Sequence, residues 1–483
     1  MLDTLIPSPV QSAARGSGFG FALTRRALLL LAGGCLLAVP GFLNPRWMWV
    51  LAMLAWDVLV FLLIVTDTAL LPSPAKIQVE RRFEASPVLG ERTEIELEVR
   101  QESDQILDIR LSDALHPALA AMPVSARLRA FPRDTARVTV ECVPTTRGDV
   151  RLGKVYLRCR GALRLVERWA AADLEQNVRV FPPMERSPED TQLYLLRIRQ
   201  IALQKRRLRL RGMGREFESL RDYQSGDEVR NIAWPATARR AKLITREFTT
   251  ERSQQVWIVI DAGRLSRTAF SLRRKIGERF RDSLSAPSSS EDLLLNLTQL
   301  DQSTGAAVAL AQAVMQTGDK AGLLVYGQSI QQQLPPAAGT GHLRQFVDAL
   351  SLARAESGEA NHLSAAIRLK HLQRRRGLIL WITELADSAR RPEVVDAALD
   401  LSRRHLVLLV VLKHPELDAM AAQRPQSVAQ MYVATASEEI LERRRALLAQ
   451  LRAQGVLVVE TSAASVKADA INEYLDVKAR GLL

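Results

Sequence analysis

Residues 256–261, Val-Trp-Ile-Val-Ile-Asp, form a continuous apolar run that ends in a carboxylate. A run with no polar alternation is typical of a strand buried on both faces of a parallel sheet. Four later runs share this character: residues 321–326, 377–383, 405–412 and 456–460. Helical patterns separate them, for example at residues 305–316, 392–404, 437–454 and 466–478. This alternation predicts a doubly wound α/β domain over residues 254–483.

The carboxyl edge of that sheet is the expected ligand-binding edge, because ligands of such folds bind beyond the ends of the strands. Asp261 ends the first strand, and Glu384 follows the strand at 377–383. Two carboxylates suit Mg²⁺, but its octahedral shell needs further oxygens. Gly263 and Leu265 have none to offer, and Arg264 adds a positive charge. We therefore predict a degenerate site with no metal, with Mg²⁺ held by Asp261 and Glu384 as the alternative.

Motifs of common enzyme classes are absent from the sequence. It contains no Gly-x-x-x-x-Gly-Lys-Ser/Thr loop, no Cys-x-x-Cys, no His-Glu-x-x-His and no Gly-x-Ser-x-Gly elbow. The six histidines are scattered along the chain. We therefore predict no catalytic residue and a protein that is not an enzyme.

Residues 212–251, GMGREFESLRDYQSGDEVRNIAWPATARRAKLITREFTTE, place charges of both signs among large apolar side chains. This mixture predicts a half-buried network of ion pairs, since buried charges must be paired and hydrogen-bonded. The candidate pairs join Glu216 to Arg221 or Arg239, and Asp227 to Arg230. Asp227 is also predicted to cap a short helix that Pro235 ends, before a strand at 242–248.

The fixed spacing in this stretch resembles the signature of domain-of-unknown-function family 58, DUF58. The matching residues are Gly214, Glu216, Phe217, Leu220, Arg221, Tyr223, Gly226, Asp227, Arg230, Ile232, Trp234, Ala238 and Arg239. Ala233 and Pro235 depart from the pattern, where members usually carry an acid and a lysine. The resemblance implies a bacterial or archaeal protein with an N-terminal membrane hairpin and a von Willebrand factor A-like domain. It also implies association with MoxR-type AAA+ ATPases, but no catalytic mechanism.

Von Willebrand A domains bind metal through Asp-x-Ser-x-Ser after the first strand, a middle-loop Thr and an Asp after the fourth strand. Measured against that set, Asp261 is retained and both serines are replaced. Asn361 stands in the middle loop, and Glu384 stands where the second Asp is expected. The resemblance therefore leaves the same prediction of a degenerate edge, in which Asp261 pairs with an arginine.

The N-terminal part predicts a flexible tail over residues 1–24 and a transmembrane hairpin over 25–72. Two apolar runs, 27–45 and 47–71, are each long enough to cross a bilayer and are joined by a short turn. The second run follows at once, which disfavours a cleaved signal peptide. Basic residues flank the pair, and only Arg46 lies in the turn, so both ends are predicted to be cytoplasmic at a bacterial inner membrane. Asp57, within the second run, is either a functional acid or a tolerated one.

Residues 75–184 predict a small antiparallel β-sandwich that acts as a spacer or interaction module. Period-two alternation marks strands at 76–83, 93–100, 136–142 and 154–159. Cys142 and Cys159 fall on such strands and are expected to be buried free thiols of a reducing compartment, with a disulfide as the alternative. Residues 185–253 are predicted to hold a connector helix, at 193–210, followed by the signature stretch.

The positive charge of the chain raises a further functional class, a protein that binds polyanions. The formal net charge is +13, and seven basic residues without an acid lie between Arg197 and Arg211. Such a run either binds nucleic acid or anionic lipid, or forms a solvated helix face. No aromatic residue is interleaved, so we expect no nucleic-acid partner. The favoured hypothesis is a membrane-anchored adaptor that presents its α/β domain to a MoxR-type ATPase. A metal-dependent enzyme and a polyanion-binding protein are the alternatives.

Overall fold

The computed structural model describes most of the chain, in separate stretches. The described residues are 12–15, 20–43, 47–73, 76–113, 115–119, 124–183, 216–224, 229, 232–249, 253–274, 293–385 and 392–482. They form two compact units. The β unit comprises Met1–Pro182 and Ser271–Leu297, and the α/β unit comprises Pro183–Phe270 and Thr298–Leu483. The protein is therefore multidomain, with mixed sheets and helices.

The β unit contains two consecutive helices, α1 (Arg25–Leu43) and α2 (Trp47–Leu70). Helix α2 is long and apolar enough to cross a membrane. Trp56 Nε1 of α2 donates to Leu30 O of α1 at 2.8 Å. A Cβ built on Gly34 would lie 2.6 Å from Asp57 Oδ1, so a glycine permits this close approach of the helices. The side chain of Asp57 thus faces α1.

The end of α2 is bonded directly to the sheet that follows. Asp67 is fully buried, and its Oδ2 accepts from Leu165 N at 2.8 Å and Val166 N at 3.0 Å. Arg168 Nη1 donates to Leu71 O at 3.0 Å, which satisfies a carbonyl that the helix end leaves free. A Cβ on Gly161 would lie 2.8 Å from Asp67 Oδ1, so only glycine fits beside that carboxylate.

Eleven strands of the β unit form one nine-stranded sheet and one two-stranded sheet. The larger sheet has the strand order β6-β5-β9-β10-β1-β3-β4-β7, and its ninth strand, β2, also pairs with β10. The smaller sheet consists of β8 paired with β11. The strands are β1 (Ser12–Arg15), β2 (Phe21–Leu23), β3 (Ile77–Phe83), β4 (Thr93–Gln101), β5 (Leu107–Asp113), β6 (Val124–Ala130), β7 (Thr135–Cys142), β8 (Gly148–Leu152), β9 (Val155–Arg160), β10 (Val166–Ala172) and β11 (Gln176–Val180). Inward residues from both halves of the large sheet share one core, a sandwich-like arrangement.

An ion pair lies inside that core. Arg81, fully buried, donates from Nε to Asp113 Oδ2 at 2.9 Å and from Nη1 to Leu174 O at 3.1 Å. Burial raises the pKa of the Asp113 carboxyl, against the opposing effect of Arg81. Cys142 and Cys159 are buried free thiols, and burial raises the pKa of each to about 12. Both thiols are therefore buried and free in the structure, and they are unreactive while the unit stays folded.

The α/β unit is organised around a six-stranded sheet of order β18-β17-β14-β19-β20-β21. Its strands are β14 (Gln255–Asp261), β17 (Lys320–Tyr326), β18 (Ile330–Ala337), β19 (Leu378–Glu384), β20 (Leu406–Leu412) and β21 (Leu457–Thr461). All neighbours are parallel except β17 and β18. The five strands predicted from apolar runs are therefore confirmed, and β18 is an additional edge strand.

Helices flank this sheet on both faces. The helices of the α/β unit are α3 (Trp234–Arg240), α4 (Gln299–Gln316), α5 (Thr340–Leu352), α6 (His362–Leu372), α7 (Glu393–Ser402), α8 (Pro415–Ala422), α9 (Val428–Ala453) and α10 (Val466–Ala479). Helices α6, α7 and α9 share a core with one face of the strands. Helix α4 packs against α10 and also contacts β14 and β17. This arrangement is an open, mainly parallel α/β sheet with helices packed against both faces.

Two local expectations differ from the structure, and one strand pair was not predicted. Strands β1 and β2 lie in the predicted flexible tail, where each pairs with β10. Pro235 lies in the first turn of α3 rather than ending a helix, a position where the missing N–H of proline costs no helical hydrogen bond. After β14, a short 3-10 helix (Arg264–Arg267) leads to the unpredicted strand β15 (Ala269–Arg274), which pairs with β16 (Leu293–Thr298). The other new pair, β12 (Glu216–Asp222) with β13 (Ile244–Thr249), agrees with the predicted strand at 242–248.

His405 leads to a prediction about pH. It is buried, and neither ring nitrogen has a hydrogen-bond partner among the described residues. Burial, with Arg404 and Lys370, lowers its pKa below the ordinary 6.5. A depressed histidine pKa means that the unfolded chain takes up the proton first. Stability should therefore be lost as the pH falls below 6.5, at about 1.4 kcal/mol per pH unit. Thermal melts between about pH 7 and pH 5 measure this loss of stability. In His405→Leu the melting temperature should fall less with decreasing pH than in the parent. The control His371→Leu, which changes an exposed histidine, should behave like the parent.

Candidate functional site

Asp261 ends β14 at the carboxyl edge of the parallel strands, as predicted. Its Oδ1 accepts from Gly263 N at 2.8 Å, and its Oδ2 accepts from Thr383 Oγ1 at 2.8 Å. Each carboxylate oxygen therefore already holds one donor, and these bonds fix the orientation of the side chain. The expected pairing of Asp261 with an arginine is absent among the described residues, where Thr383 and the Gly263 N–H take that place.

Glu384 ends β19 beside Asp261 and is 6% exposed. Its Oε2 lies 3.0 Å from His414 Nε2, and the side-chain amide of Gln299, with its nitrogen turned toward the carboxylate, also contacts it. Burial raises the pKa of Glu384 above its ordinary value, and His414 opposes that shift. Arg444 is also buried and donates to Leu412 O at 2.9 Å. Glu384 is thus a buried acid whose carboxylate contacts the side chains of His414 and Gln299.

An aromatic cluster lies next to the two acids. Trp381 Nε1 donates to Tyr326 Oη at 2.8 Å, and Tyr326 Oη lies 2.8 Å from His362 Nδ1. Because the tyrosine oxygen accepts from Trp381, its own proton is available to His362 Nδ1. Burial and Asp261 raise the pKa of Tyr326 well above 10. The phenol therefore stays protonated at neutral pH and orients the His362 ring.

A cleft of about 400 Å³ opens at this edge. Its lining includes four acids and one guanidinium: Asp261, Glu359, Glu384, Glu393 and Arg264. Arg264 Nη2 lies 3.4 Å from Glu359 Oε1, with both side chains largely exposed. A cleft with this charge attracts a cationic group, and the two acids at its exposed rim can change conformation on binding.

The cleft has few ligands for a metal ion. Gly263 contributes an N–H donor instead of an oxygen, and Leu265 lines the cleft with an apolar side chain. Asn361, the middle-loop candidate, uses its side-chain oxygen to accept from Ser364 N at the start of α6. In the described part of the chain, no group of three or more His, Cys, Asp or Glu side chains is arranged to hold a metal.

The signature stretch is only partly described. Gly214, Gly226, Asp227 and Arg230 lie outside the described residues, as does the basic run at 197–211. Glu216 and Phe217 belong to β12, which continues through Leu220 and Arg221. Ile232 is buried, but Trp234 is 62% exposed and Leu220 is 39% exposed. Arg239, in the last turn of α3, belongs to a helix with no buried residue. The expectation of a half-buried network does not hold for Trp234, because α3 leaves its indole on the surface.

Comparison with known proteins identifies this part of the chain. Residues 219–449 carry a DUF58 match. The family model described as "Protein of unknown function DUF58" matches residues 219–279 and 288–449, which confirms the predicted resemblance for that region. An uncharacterized protein of Mycobacterium tuberculosis (strain ATCC 25618 / H37Rv) is 25% identical over 206 residues, 42% of this chain and 56% of its own length. The uncharacterized protein YeaD of Bacillus subtilis (strain 168) is 27% identical over 156 residues, 30% of this chain and 36% of its own.

The chain thus spans about half, or less, of the length of these relatives. Among solved structures, the conserved hypothetical protein BatB from Bacteroides thetaiotaomicron aligns with a TM-score of 0.27 and 13% identity, over 47% of this chain and 99% of that one. The ASH/PapD-like domain of human CEP192 aligns with a TM-score of 0.17 and 15% identity, over 22% of this chain and 84% of that one.

We expect Mg²⁺ and Mn²⁺ to bind this edge no more tightly than a generic surface pair of carboxylates. Both Asp261 oxygens already accept hydrogen bonds, and neither Gly263 nor Leu265 adds an oxygen. Isothermal titration of each ion into the full chain, with Asp261→Ala as the control, measures this. Saturable submillimolar binding that disappears in the mutant would contradict the prediction.

Proposed function

We propose that this chain is a membrane-anchored interaction protein without enzymatic activity. It presents its α/β unit, a von Willebrand A-like domain, to a MoxR-type AAA+ ATPase, and the pair acts in assembly or maturation of other proteins. The observation that carries the proposal is the acidic cleft at the carboxyl edge of the sheet. The identity of the ATPase class rests on the family resemblance of the signature stretch.

The chemistry of the cleft favours recognition over catalysis. Each Asp261 oxygen already accepts one hydrogen bond, which stabilises the carboxylate and leaves it less available to a substrate proton than an unbonded base. The inner acid, Glu384, contacts His414 and Gln299. Glu359 and Glu393 are exposed at the rim. A lysine or arginine from a partner would contact these rim acids and point toward Asp261.

Membrane anchorage is the second part of the proposal. It is supported by the apolar helix α2 and by the contact of Trp56 with α1, which suits a two-span hairpin. The distribution of basic residues supports a cytoplasmic location for both ends of the hairpin, and so for both units, at a bacterial inner membrane. The ATPase partner is a soluble cytoplasmic protein in this scheme, and the adaptor brings it to the membrane.

Charge reversal at the cleft tests the proposal. Full-length protein in lipid nanodiscs is captured on a biosensor, and a purified MoxR-type ATPase from the same genome is titrated with and without ATP. Glu359→Lys combined with Glu393→Lys should weaken binding by about tenfold or more, because two attractive contacts become repulsive.

The matched control reverses two exposed acids of α9, Glu438→Lys with Glu442→Lys, which makes the same change in net charge outside the cleft. It should leave the affinity unchanged. Equal affinities of the parent, the cleft variant and the control would show that the cleft does not bind the ATPase. If none of the three proteins binds a MoxR-type ATPase, the proposed partner is wrong.

A further inference from the structure

Three arginines lie side by side on the outer face of the β unit. Arg110 of β5 pairs across the sheet with Arg127 of β6 on one side and with Arg158 of β9 on the other. Arg158 in turn pairs with Trp169 of β10, and its guanidinium carbon lies 5.1 Å from the centre of the indole ring. Directly paired residues point to the same face. We call Arg127, Arg110, Arg158 and Trp169 the arginine row.

The charges of this row are not compensated within the described part of the chain. Like charges directly opposite each other destabilise a sheet, and none of the three arginines forms an ion pair with a described residue. The neighbouring row differs, because acids and arginines alternate there: Glu167, Arg160, Asp108 and Arg129. The row on the other side carries no charge, with Ala171, Tyr156, Ser112 and Ser125. A sheet face that keeps three adjacent positive charges is suited to an external anion.

The position of the arginine row indicates which anion. Val166, at the start of β10, is hydrogen-bonded to Asp67 in the last turn of α2. Trp169 lies three residues further along the strand, a distance of about 10 Å at the usual rise per residue. Arg168 bonds to Leu71 O and Pro72 O, so the end of α2 and the start of β10 form one rigid junction. If α2 crosses a bilayer, Trp169 and the end of the row next to it lie about one Debye length from the membrane surface.

We propose that the arginine row binds the phosphates of anionic phospholipids in the bilayer that holds α2. This inference rests on the proposed membrane anchorage. Guanidinium groups bind phosphate oxygens with two parallel hydrogen bonds, which neutralise the row. Trp169 and Tyr156 are 46% and 52% exposed, and side chains with an apolar ring and a polar atom are favoured at the headgroup level. Lipid binding would hold the β unit against the membrane.

The test uses the detergent-solubilised full chain and short-chain lipids. Phosphatidylglycerol, phosphatidylcholine, inorganic phosphate and a single-stranded oligonucleotide are titrated separately. We expect saturable binding of phosphatidylglycerol and much weaker binding of phosphatidylcholine and phosphate. Replacing the three arginines together, Arg110→Gln, Arg127→Gln and Arg158→Gln, should weaken phosphatidylglycerol binding on the order of a hundredfold, from roughly a fivefold contribution of each.

A matched triple variant replaces arginines of the same unit that form exposed ion pairs. These are Arg133, paired with Asp104, Arg137, paired with Glu98, and Arg151, paired with Glu175. The control should retain phosphatidylglycerol binding within about twofold, since each charge is already partnered. Equal loss in both triple variants would overturn the proposal, and so would an oligonucleotide that binds more tightly than the lipid through the same arginines.

Membrane extraction distinguishes a failure of the proposed membrane anchorage from a failure of lipid binding by the arginine row. If alkaline carbonate releases the full chain from membranes, the anchorage itself fails. If the chain stays in the membrane but shows no preference for phosphatidylglycerol, only the assignment of the arginine row fails. Circular dichroism melts of both triple variants confirm that each is folded.

Discussion

Replacing Asp113 by alanine is expected to lower the free energy of unfolding of the β unit by about 3–5 kcal/mol. The change leaves the Arg81 guanidinium, with 0% of its side chain exposed, without its carboxylate. The bonds of Arg81 to Leu174 O and Gly153 O remain, but carbonyl dipoles compensate a buried charge only in part. The expected loss is therefore far larger than for an ion pair on the surface.

The two buried cysteines provide the measurement. Cys142 and Cys159 both lie in the β unit, and Cys35 is the third cysteine of the chain. In a Cys35→Ser background, thiol labelling therefore reports only the opening of the β unit within the full chain. Labelling of Asp113→Ala at increasing urea should reach completion well before the parent does.

A double replacement is the control for Asp113. Arg81→Met with Asp113→Leu removes both charges and keeps a similar apolar volume, and replacing such pairs with apolar groups is often neutral or stabilising. It should restore most of the stability that the single change removes. If Asp113→Ala labels like the parent, the ion pair contributes nothing, and the core must reach water when folded.

The sequence contained a signal for this ion pair. In strand β3, Ile77, Val79 and Arg81 have the same parity, and the first two belong to the core. In β5, Asp113 falls on the same face as the core residues Ile109 and Leu111. Arg81 lies in the predicted strand at 76–83, but residues 107–113 were not predicted to be a strand, so Asp113 could not be assigned as its buried partner.

The apolar strands β14, β17, β19 and β20 were predictable because strands buried on both faces carry few polar residues. Strand β18 was not, because its sequence, IQQQLPPA, contains two prolines. Proline is confined to edge strands, and β18 is the antiparallel edge of the sheet. Propensity alone therefore argued against a strand that only the tertiary context stabilises.

At the candidate site, Asp261 and Glu384 could be located from the sequence, since each ends an apolar run. Their partners could not. Thr383 is a lone hydroxyl in a buried strand, and Gln299 and His414 come from segments far away along the chain. No local spacing links them to Asp261 or Glu384. The single usable signal was that His414 follows strand β20 at the same carboxyl edge.

Asp67→Ala is expected to open the junction between α2 and β10 at a cost of about 2–5 kcal/mol, because the N–H groups of Leu165 and Val166 would lose their acceptor in a buried site. Asp67→Asn should cost much less, since an oxygen can remain at the Oδ2 position and Oδ1 has no hydrogen-bond partner among the described residues.

Cys159 lies opposite Arg168 on the neighbouring strand, whereas Cys142 lies on β7, away from β10 in the strand order. In Asp67→Ala, labelling of Cys159 should therefore accelerate more than labelling of Cys142, and in Asp67→Asn neither should change greatly. Equal acceleration at both cysteines would mean that Asp67 stabilises the whole unit rather than this junction, and the fixed placement of the arginine row beside the membrane would lose its support.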